Sequence, residues 1–205
     1  MKLIWYGHSC FKLESAQGSV VLDPYAPDYV DGLALPAELT ADEVICSHTH
    51  ADHGYERAVT RTGNEVSFKV MQLACFHDEV QGAKRGKNLI TVIDAEGLRI
   101  VHMGDIGHTL PPEQISALGE VDVLLIPVGG YYTVDAHTAK EIADSVKPRV
   151  TIPMHYRGAG FGFDVLSTVD DYLALCDNVH RVDGNVVTLP YTESGVTLAL
   201  TCPTK

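Results

Sequence analysis

The stretch His48-Thr49-His50-Ala51-Asp52-His53 places four side chains that bind divalent metals within six residues. Imidazole and carboxylate groups are the ligands that suit zinc and the neighbouring first-row metals. Neighbouring residues in an extended loop point in different directions, so four ligands this close in sequence cannot all reach one tetrahedral ion without strain. The stretch therefore predicts two adjacent ions, with His48 and His50 on one and Asp52 and His53 on the other.

A paired-metal site is typical of hydrolysis, because two cations share and acidify a water and then stabilise charge on the substrate. The alternative is a solvated, histidine-rich loop. Against that alternative, His77, Asp105 and His155 each follow an apolar, strand-like segment, and sites in α/β proteins gather at strand ends. Two further histidines, His102 and His108, lie in the same interval and compete with His77 as ligands.

The distribution of apolar residues predicts a layered α/β sandwich. The strand-like segments are Leu3–Tyr6, Phe11–Glu14, Val20–Leu22, Val44–Cys46, Ser67–Phe76, Leu89–Ile93, Leu98–Met103, Val121–Pro127, Val150–Pro153, Val186–Leu189 and Val196–Leu200. Helices are predicted at Asp52–Thr60, Pro112–Leu118, Asp135–Val146 and Ser167–Cys176. Strands often follow one another without a helix between them, which disfavours an all-parallel, doubly wound sheet. No linker divides the chain, so we expect one domain over residues 1–205.

Composition narrows the partners and the compartment. The formal net charge of −12 argues against a nucleic-acid partner, but it leaves room for an anionic small-molecule substrate, since two divalent metals would create a local positive field. No apolar run is long enough to span a membrane. Five widely spaced cysteines, with no Cys-x-x-Cys pair, indicate reduced thiols and hence a cytoplasmic location. A homo-oligomer is compatible with this composition.

Taken together, these motifs resemble those of the metallo-β-lactamase superfamily of dinuclear metal hydrolases. The resemblance rests on His48-x-His50-x-Asp52-His53, then His77, Asp105 in a Gly-Asp pair, and His155, with Leu22-Asp23-Pro24 upstream. It implies a four-layered αββα sandwich that forms a single hydrolase domain. It also implies a ligand set in which His48, His50 and His77 hold the first metal, Asp52, His53 and His155 hold the second, and Asp105 bridges them. Zinc is the expected metal, with manganese or iron as alternatives.

Softer motifs are similar to a short branch of the superfamily that includes L-ascorbate-6-phosphate lactonase. They are Trp5-Tyr6-Gly7-His8-Ser9, His77-Asp78-x3-Gly82-x2-Arg85-Gly86-x-Asn88, Pro127-Val128-Gly129-Gly130 and Pro153-Met154-His155-Tyr156. The resemblance implies a hydrolase in which a metal-bridging hydroxide, oriented by Asp52, cleaves a small ester-like substrate such as a lactone or phosphoester. The alternatives are a lipid or nucleotide phosphodiesterase, a di-iron redox protein on the same fold, and a non-catalytic metal-binding domain.

Four residues are candidates for supporting the metals or contacting the substrate, each with a plainer alternative. Asp23 can brace a ligand histidine or simply end a strand. His8 can line the cleft or be a polar loop residue. Arg85 can pair with a phosphate or carboxylate, or belong to a solvated basic loop. Tyr156 can offer a phenol beside His155 or pack at a loop edge.

Overall fold

The computed structural model describes all 205 residues. Its strands are β1 (Lys2–Trp5), β2 (Phe11–Ser15), β3 (Gly18–Leu22), β4 (Thr40–Ala41), β5 (Glu43–Ile45), β6 (Thr60–Arg61), β7 (Lys69–Phe76), β8 (Lys87–Ala95), β9 (Leu98–His102), β10 (Val123–Pro127), β11 (Val150–Met154), β12 (Val179–Val182), β13 (Val186–Thr188) and β14 (Val196–Leu200). Its helices are α1 (Pro112–Leu118), α2 (Ala136–Val146) and α3 (Val169–Leu173), with a 3-10 turn at Glu56–Ala58.

Two large sheets form the body of the molecule. The first contains five strands in the order β13-β1-β2-β3-β5, and the second contains seven in the order β12-β14-β11-β10-β9-β8-β7. The second sheet is antiparallel across β7, β8 and β9 and parallel from β9 to β12. The short strands β4 and β6 pair separately. The predicted α/β sandwich is confirmed.

The main core lies between the two sheets. In β1 and β2 the side chains of Leu3, Trp5 and Phe11 are fully buried, while the residues between them are less so. This alternation places one face of the first sheet against the second sheet. By contrast, β10, β11 and β14 are buried along their whole length, because helices α2 and α3 cover the outer face of the second sheet.

The outer face of the first sheet is covered by irregular chain. Tyr25, Val30, Leu33 and Leu39 lie between β3 and β4 and form a second buried cluster with Val21 of β3. Three prolines in this segment, at positions 24, 27 and 36, remove backbone donors and disfavour a helix. The fourth layer of the sandwich is therefore mostly loop.

The helix predictions are confirmed for α1, α2 and a shorter α3, but the one directly after residues 48–53 is wrong. The first α-helix has the predicted bounds, and α2 begins one residue later than predicted because Asp135 is its N-cap. The segment Ser167–Cys176 shortens to α3. The prediction of a helix over Asp52–Thr60 was wrong: only the 3-10 turn forms, and the chain then extends into β6. A tight turn, in which the N–H of His53 donates to the carbonyl of His50 at 3.0 Å, occupies the start of that segment instead.

Three strands, β4, β6 and β12, were not predicted, and they are among the shortest or most polar in the fold. Strand β7 forms an edge of the seven-stranded sheet and is largely exposed over its first half. None of the three α-helices is long and apolar enough to cross a membrane.

Candidate metal centre

The candidate ligands meet at one end of the sandwich, because each lies in a turn that follows a strand. His8 follows β1, Asp23 follows β3, residues 48–53 follow β5, His77 follows β7, Asp105 follows β9 and His155 follows β11. Both sheets thus contribute to one cluster, which brings together residues up to 147 positions apart in sequence. The loop after a strand can vary without disturbing the core, which suits a site of this kind.

Three overlapping groups of side chains within this cluster have the spacing of metal ligands; two of them contain the predicted ligand sets, and the third, His48, His53 and Asp105, connects these two. The donor atoms of His48, His50 and His77 all lie within 4.8 Å of one another. These are the three residues that the resemblance assigns to the first metal. His77 is almost fully buried and His50 is exposed, so the group opens toward solvent on one side.

The second group contains the remaining predicted ligands and one more residue. Asp52, His53, His155 and His8 have donor atoms within 4.8 Å of one another, and all four are buried. The Nε2 atom of His8 lies 3.2 Å from Oδ2 of Asp52. Its ring lies 4.0 Å from that of His155, measured between centroids. His8 is therefore part of the cluster rather than a polar loop residue.

Asp105 lies between the two groups. Its Oδ2 atom is 3.1 Å from Nε2 of His77, 3.2 Å from Nε2 of His53 and 3.4 Å from Nε2 of His155. It is 4.0 Å from Nε2 of His48. One carboxylate oxygen thus faces imidazoles from both groups.

The donor atoms themselves indicate that the site fits a divalent cation. The Nε2 atoms of His48, His53 and His155 and the Oδ1 atom of Asp105 are buried without any hydrogen-bond partner. Buried polar atoms are usually satisfied, because leaving one unpaired is costly. Nitrogen and carboxylate oxygen atoms that converge in this way are the donor set of zinc, manganese and iron sites.

The protonation states of His8, His48 and Asp105 suit metal binding, whereas the carboxylate of Asp105 outweighs burial and raises the pKa of His53 and His77 in the absence of a cation. Burial lowers the pKa of His8 to about 3 and that of His48 to about 4, so both imidazoles are neutral near pH 7, the form whose nitrogen binds metal. Burial alone would raise the pKa of Asp105, but the neighbouring imidazoles of His155 and His53 outweigh it and hold that pKa well below its usual range. Asp105 is therefore a carboxylate.

Asp23 orients two of the candidate ligands. Its carboxylate accepts hydrogen bonds from the backbone N–H and the hydroxyl of Ser47, both at 2.6 Å, and from Nδ1 of His53 at 2.8 Å. The Ser47 hydroxyl oxygen lies 2.9 Å from Nδ1 of His48. Because the Nδ1 atoms of both histidines are occupied in this way, their Nε2 atoms point into the cluster.

Three residues in these turns have a left-handed backbone although none is glycine. The φ angles of His8, Asp23 and His155 are 50°, 46° and 54°. The turns at His8 and His155 are also joined directly, since the backbone N–H of His155 donates to the carbonyl of His8 at 3.2 Å. Residues other than glycine rarely adopt this backbone conformation, because it costs them about 1–2 kcal/mol each.

One residue that the sequence analysis named only within a motif, without a role, fixes the position of Asp105. Asn88, fully buried in β8, accepts the backbone N–H of Asp105 on its side-chain oxygen at 3.0 Å. Its amide donates to the carbonyl of Met103 at 2.8 Å. The available signal was an amide side chain next to the apolar run that begins at Leu89.

The two histidines that compete with His77 lie outside both ligand groups. His102 is buried with its Nε2 atom 2.9 Å from the carbonyl of Ser9. His108 accepts the backbone N–H of Phe76 at 3.2 Å and so holds the end of β7. Both are occupied by backbone hydrogen bonds, which leaves His77 as the histidine of this interval that joins the cluster.

The cluster opens into a cleft of about 350 Å³. Its walls are formed by Tyr29, His50, Asp52, His77, Lys84, Arg85, Asp105, Tyr132 and Phe163. A larger depression of about 530 Å³ lies beside the C-terminal end of α2, away from every candidate ligand. The cleft is therefore where a substrate can meet the donor atoms, and Arg85 is one of its lining residues.

Tyr156, a candidate for offering a phenol beside His155, does not line the cleft. Its ring is buried in the core, 5.5 Å from the ring of Trp5 and 5.9 Å from that of Phe161. The left-handed backbone of His155 turns the chain sharply at this point, so the two neighbouring side chains point in different directions.

Comparison with known proteins agrees with this geometry. Residues 2–155 match the model of the beta-lactamase superfamily domain. A candidate Zn-dependent hydrolase of the metallo-beta-lactamase superfamily from Thermotoga maritima is 36% identical, with a TM-score of 0.77 and coverage of 97% of this chain and 98% of that one. A UPF0173 metal-dependent hydrolase of Thermoplasma acidophilum is 29% identical over 76% of this chain and 83% of its own length. A second, from Thermoplasma volcanium, is 27% identical over 97% and 99%. This chain therefore belongs to the metallo-β-lactamase superfamily.

Proposed function

We propose that this chain is a metal-dependent hydrolase with a dinuclear centre that cleaves a small ester-like substrate, a lactone or a phosphoester. The observation on which this rests is the position of Asp105, whose Oδ2 atom lies within 3.4 Å of imidazoles from both ligand groups. Relatives named metal-dependent hydrolases share the family. The ligand roles are those implied by the resemblance, with zinc as the expected metal.

In this proposal, His48, His50 and His77 would hold one cation, Asp52, His53 and His155 would hold the other, and Asp105 would serve both. Two divalent cations supply an acidified water and polarisation of the scissile bond. The protein contributes position: Asn88 and Asp23 fix the ligand side chains. Asp52 lines the cleft, where its carboxylate can orient the attacking water.

The size and charge of the cleft favour a small substrate. A volume of about 350 Å³ lies at the lower end of the range for small-molecule sites. The chain's net charge of −12 does not favour a polyanion such as RNA.

Metal analysis combined with a substrate panel tests the proposal. We expect about two zinc or manganese ions per chain after purification without chelator, and turnover of a lactone or phosphoester. Asp105→Asn should lower both metal content and turnover, whereas Asp144→Asn, an exposed carboxylate on α2, should change neither. Iron with a visible absorption band and no hydrolysis would instead support a di-iron redox protein, because the same donor set holds iron.

A further inference from the structure

Part of the cleft wall is aromatic. Three aromatic rings from separate parts of the chain meet there: Phe163 lies 6.2 Å from Tyr29 and 6.0 Å from Tyr132, both nearly perpendicular to it. Edge-to-face contact is one of the arrangements that aromatic rings prefer, and together the three rings give this part of the cleft an apolar surface. This aromatic wall, defined as Tyr29, Tyr132 and Phe163, has no role in holding metal.

A cation stands beside the aromatic wall. Arg85 places its Cζ atom 5.8 Å from the centre of the Tyr132 ring and donates from Nη2 to the carbonyl of Tyr131 at 2.8 Å. None of the ion pairs in the structure involves Arg85, whereas its neighbour Lys84 is paired with Glu79. The remaining donors of the guanidinium are thus available to an anion.

The loop that presents Arg85 is built around one buried carboxylate. Asp78, next to the ligand His77, accepts the backbone N–H groups of Val80, Gly82, Lys84 and Arg85 at 2.9, 2.7, 2.9 and 2.7 Å. The backbone of Arg85 is thereby fixed relative to a candidate ligand, and an arrangement ordered in advance costs less on binding.

We propose that Arg85 and the aromatic wall recognise the non-reacting part of the substrate, which is an anionic group on a small, planar, apolar body. This inference rests on the proposed function, since it assumes that the ester-like bond lies at the His/Asp cluster of the same cleft. The anion is a carboxylate or a phosphoryl group, both of which a guanidinium binds through two parallel hydrogen bonds. The planar body packs against the rings of the aromatic wall.

Binding of non-hydrolysable probes to the metal-loaded protein tests this inference apart from catalysis. The probes are phenylphosphonate, benzoate, methylphosphonate and benzyl alcohol, measured by isothermal titration calorimetry. Arg85→Gln should weaken the binding of phenylphosphonate, of benzoate or of both by about tenfold or more, as expected for loss of a charge-assisted pair. The affinity for benzyl alcohol, which has no charge, should stay the same. The aromatic anion that loses more identifies the preferred anionic group.

Two further variants separate the parts of the proposal. Lys87→Gln removes the same charge at an exposed position outside the cleft, and it should not affect binding. Phe163→Ala should lower the affinity for phenylphosphonate by about tenfold and change the affinity for methylphosphonate by less than about twofold, because only phenylphosphonate has a ring that can pack against Phe163.

Several outcomes would overturn the inference. They are equal binding by the wild type and Arg85→Gln, an equal loss in Lys87→Gln, and equal affinity for phenylphosphonate and methylphosphonate. Because no probe is hydrolysed, these results stand whether or not turnover is found. A failure of the substrate panel with intact Arg85-dependent binding would contradict the hydrolase proposal alone.

Discussion

At the scale of single residues, the centre depends on side chains that never face the cleft. Asp23 accepts three hydrogen bonds, from Ser47 and from Nδ1 of His53, and thereby directs the opposite nitrogen of His53 into the cluster. Mutation of a residue that orients a metal ligand in this way typically lowers metal affinity by about 10- to 100-fold. The resemblance pointed to Asp23, and its contacts give that position a physical role.

Asp23→Asn should lower the affinity for metal by about 10- to 100-fold with little change in the fold, because the amide keeps the size of the carboxylate but cannot accept all three donors. Competition with a chromophoric chelator measures this affinity. Asp42→Asn is the matched control: Asp42 also accepts a backbone and a hydroxyl hydrogen bond from one serine, Ser19, but it is not a member of the cluster. Equal affinities for the Asp23 variant and the wild type would contradict the role assigned to Asp23.

At the scale of secondary-structure elements, α2 illustrates how local signals set helix bounds. The side chain of Asp135 accepts the backbone N–H of Thr138 at 2.9 Å and so satisfies one of the free donors at the helix start. That hydrogen bond is the main reason why the pKa of Asp135 is lowered. Helix α2 covers the outer face of β10, so its start affects the stability of the whole fold.

Asp135→Ala should reduce the free energy of unfolding by about 1 kcal/mol at pH 7, the usual contribution of an N-cap. A group whose pKa is depressed in the folded state stabilises the fold above its unfolded value and loses that effect in acid. The difference between variant and wild type should therefore narrow as the pH falls below about 4. Urea unfolding at several pH values measures this difference.

Lys140→Ala is the control for the capping prediction. It removes an exposed ion pair with Asp144 and should lower the free energy of unfolding by only about 0.3–0.5 kcal/mol. A loss as large as that of Asp135→Ala would contradict the capping argument.

The sequence predicted elements well where one local cause decides them. Helix α1 starts at Pro112 and α2 ends before Pro148, and proline acts without reference to the rest of the fold. The helix prediction for the segment after residues 48–53 failed for the opposite reason. A tight turn at His50–His53 starts this segment, and it brings these side chains close to candidate ligands from distant parts of the chain, which no local sequence pattern specifies. The irregular outer layer over Val21 was missed on similar grounds, since it forms by packing on a sheet assembled from other segments.

At the scale of the whole molecule, the cluster joins the two sheets. His8, Asp23 and residues 48–53 come from turns of the five-stranded sheet, while His77, Asp105 and His155 come from turns of the seven-stranded sheet. Any cation bound by both sets therefore bridges the sandwich. Because the unfolded chain cannot assemble these ligands, the free energy of metal binding adds to that of folding.

Removal of metal should therefore lower the melting temperature, and zinc added back should restore it. A metal present at about a thousand times its dissociation constant stabilises the folded state by about 4 kcal/mol. Differential scanning calorimetry with and without chelator measures the change. Asp105→Asn should melt at nearly the same temperature under both conditions, and an unchanged wild-type melting temperature would mean that the cluster holds no metal that matters for stability.

The sequence revealed the candidate ligands more fully than it revealed the residues that hold those ligands in place. The stretch from His48 to His53 is local, so its chemistry was visible at once, and the strand ends before Asp105 and His155 supplied the rest. The role of Asn88 depends on which strand lies beside β9, and the burial of Tyr156 depends on the backbone of its neighbour. Such relations exist only once the chain has folded.

The left-handed turns at His8, Asp23 and His155 would be the natural places for glycine if backbone geometry alone decided the sequence. Glycine adopts this conformation at little cost, so it would relieve about 1–2 kcal/mol of strain at each position. The same change would remove a fully buried side chain, and deleting a large buried side chain costs about 2–5 kcal/mol. A laboratory selection for heat resistance in the presence of metal should therefore retain all three side chains.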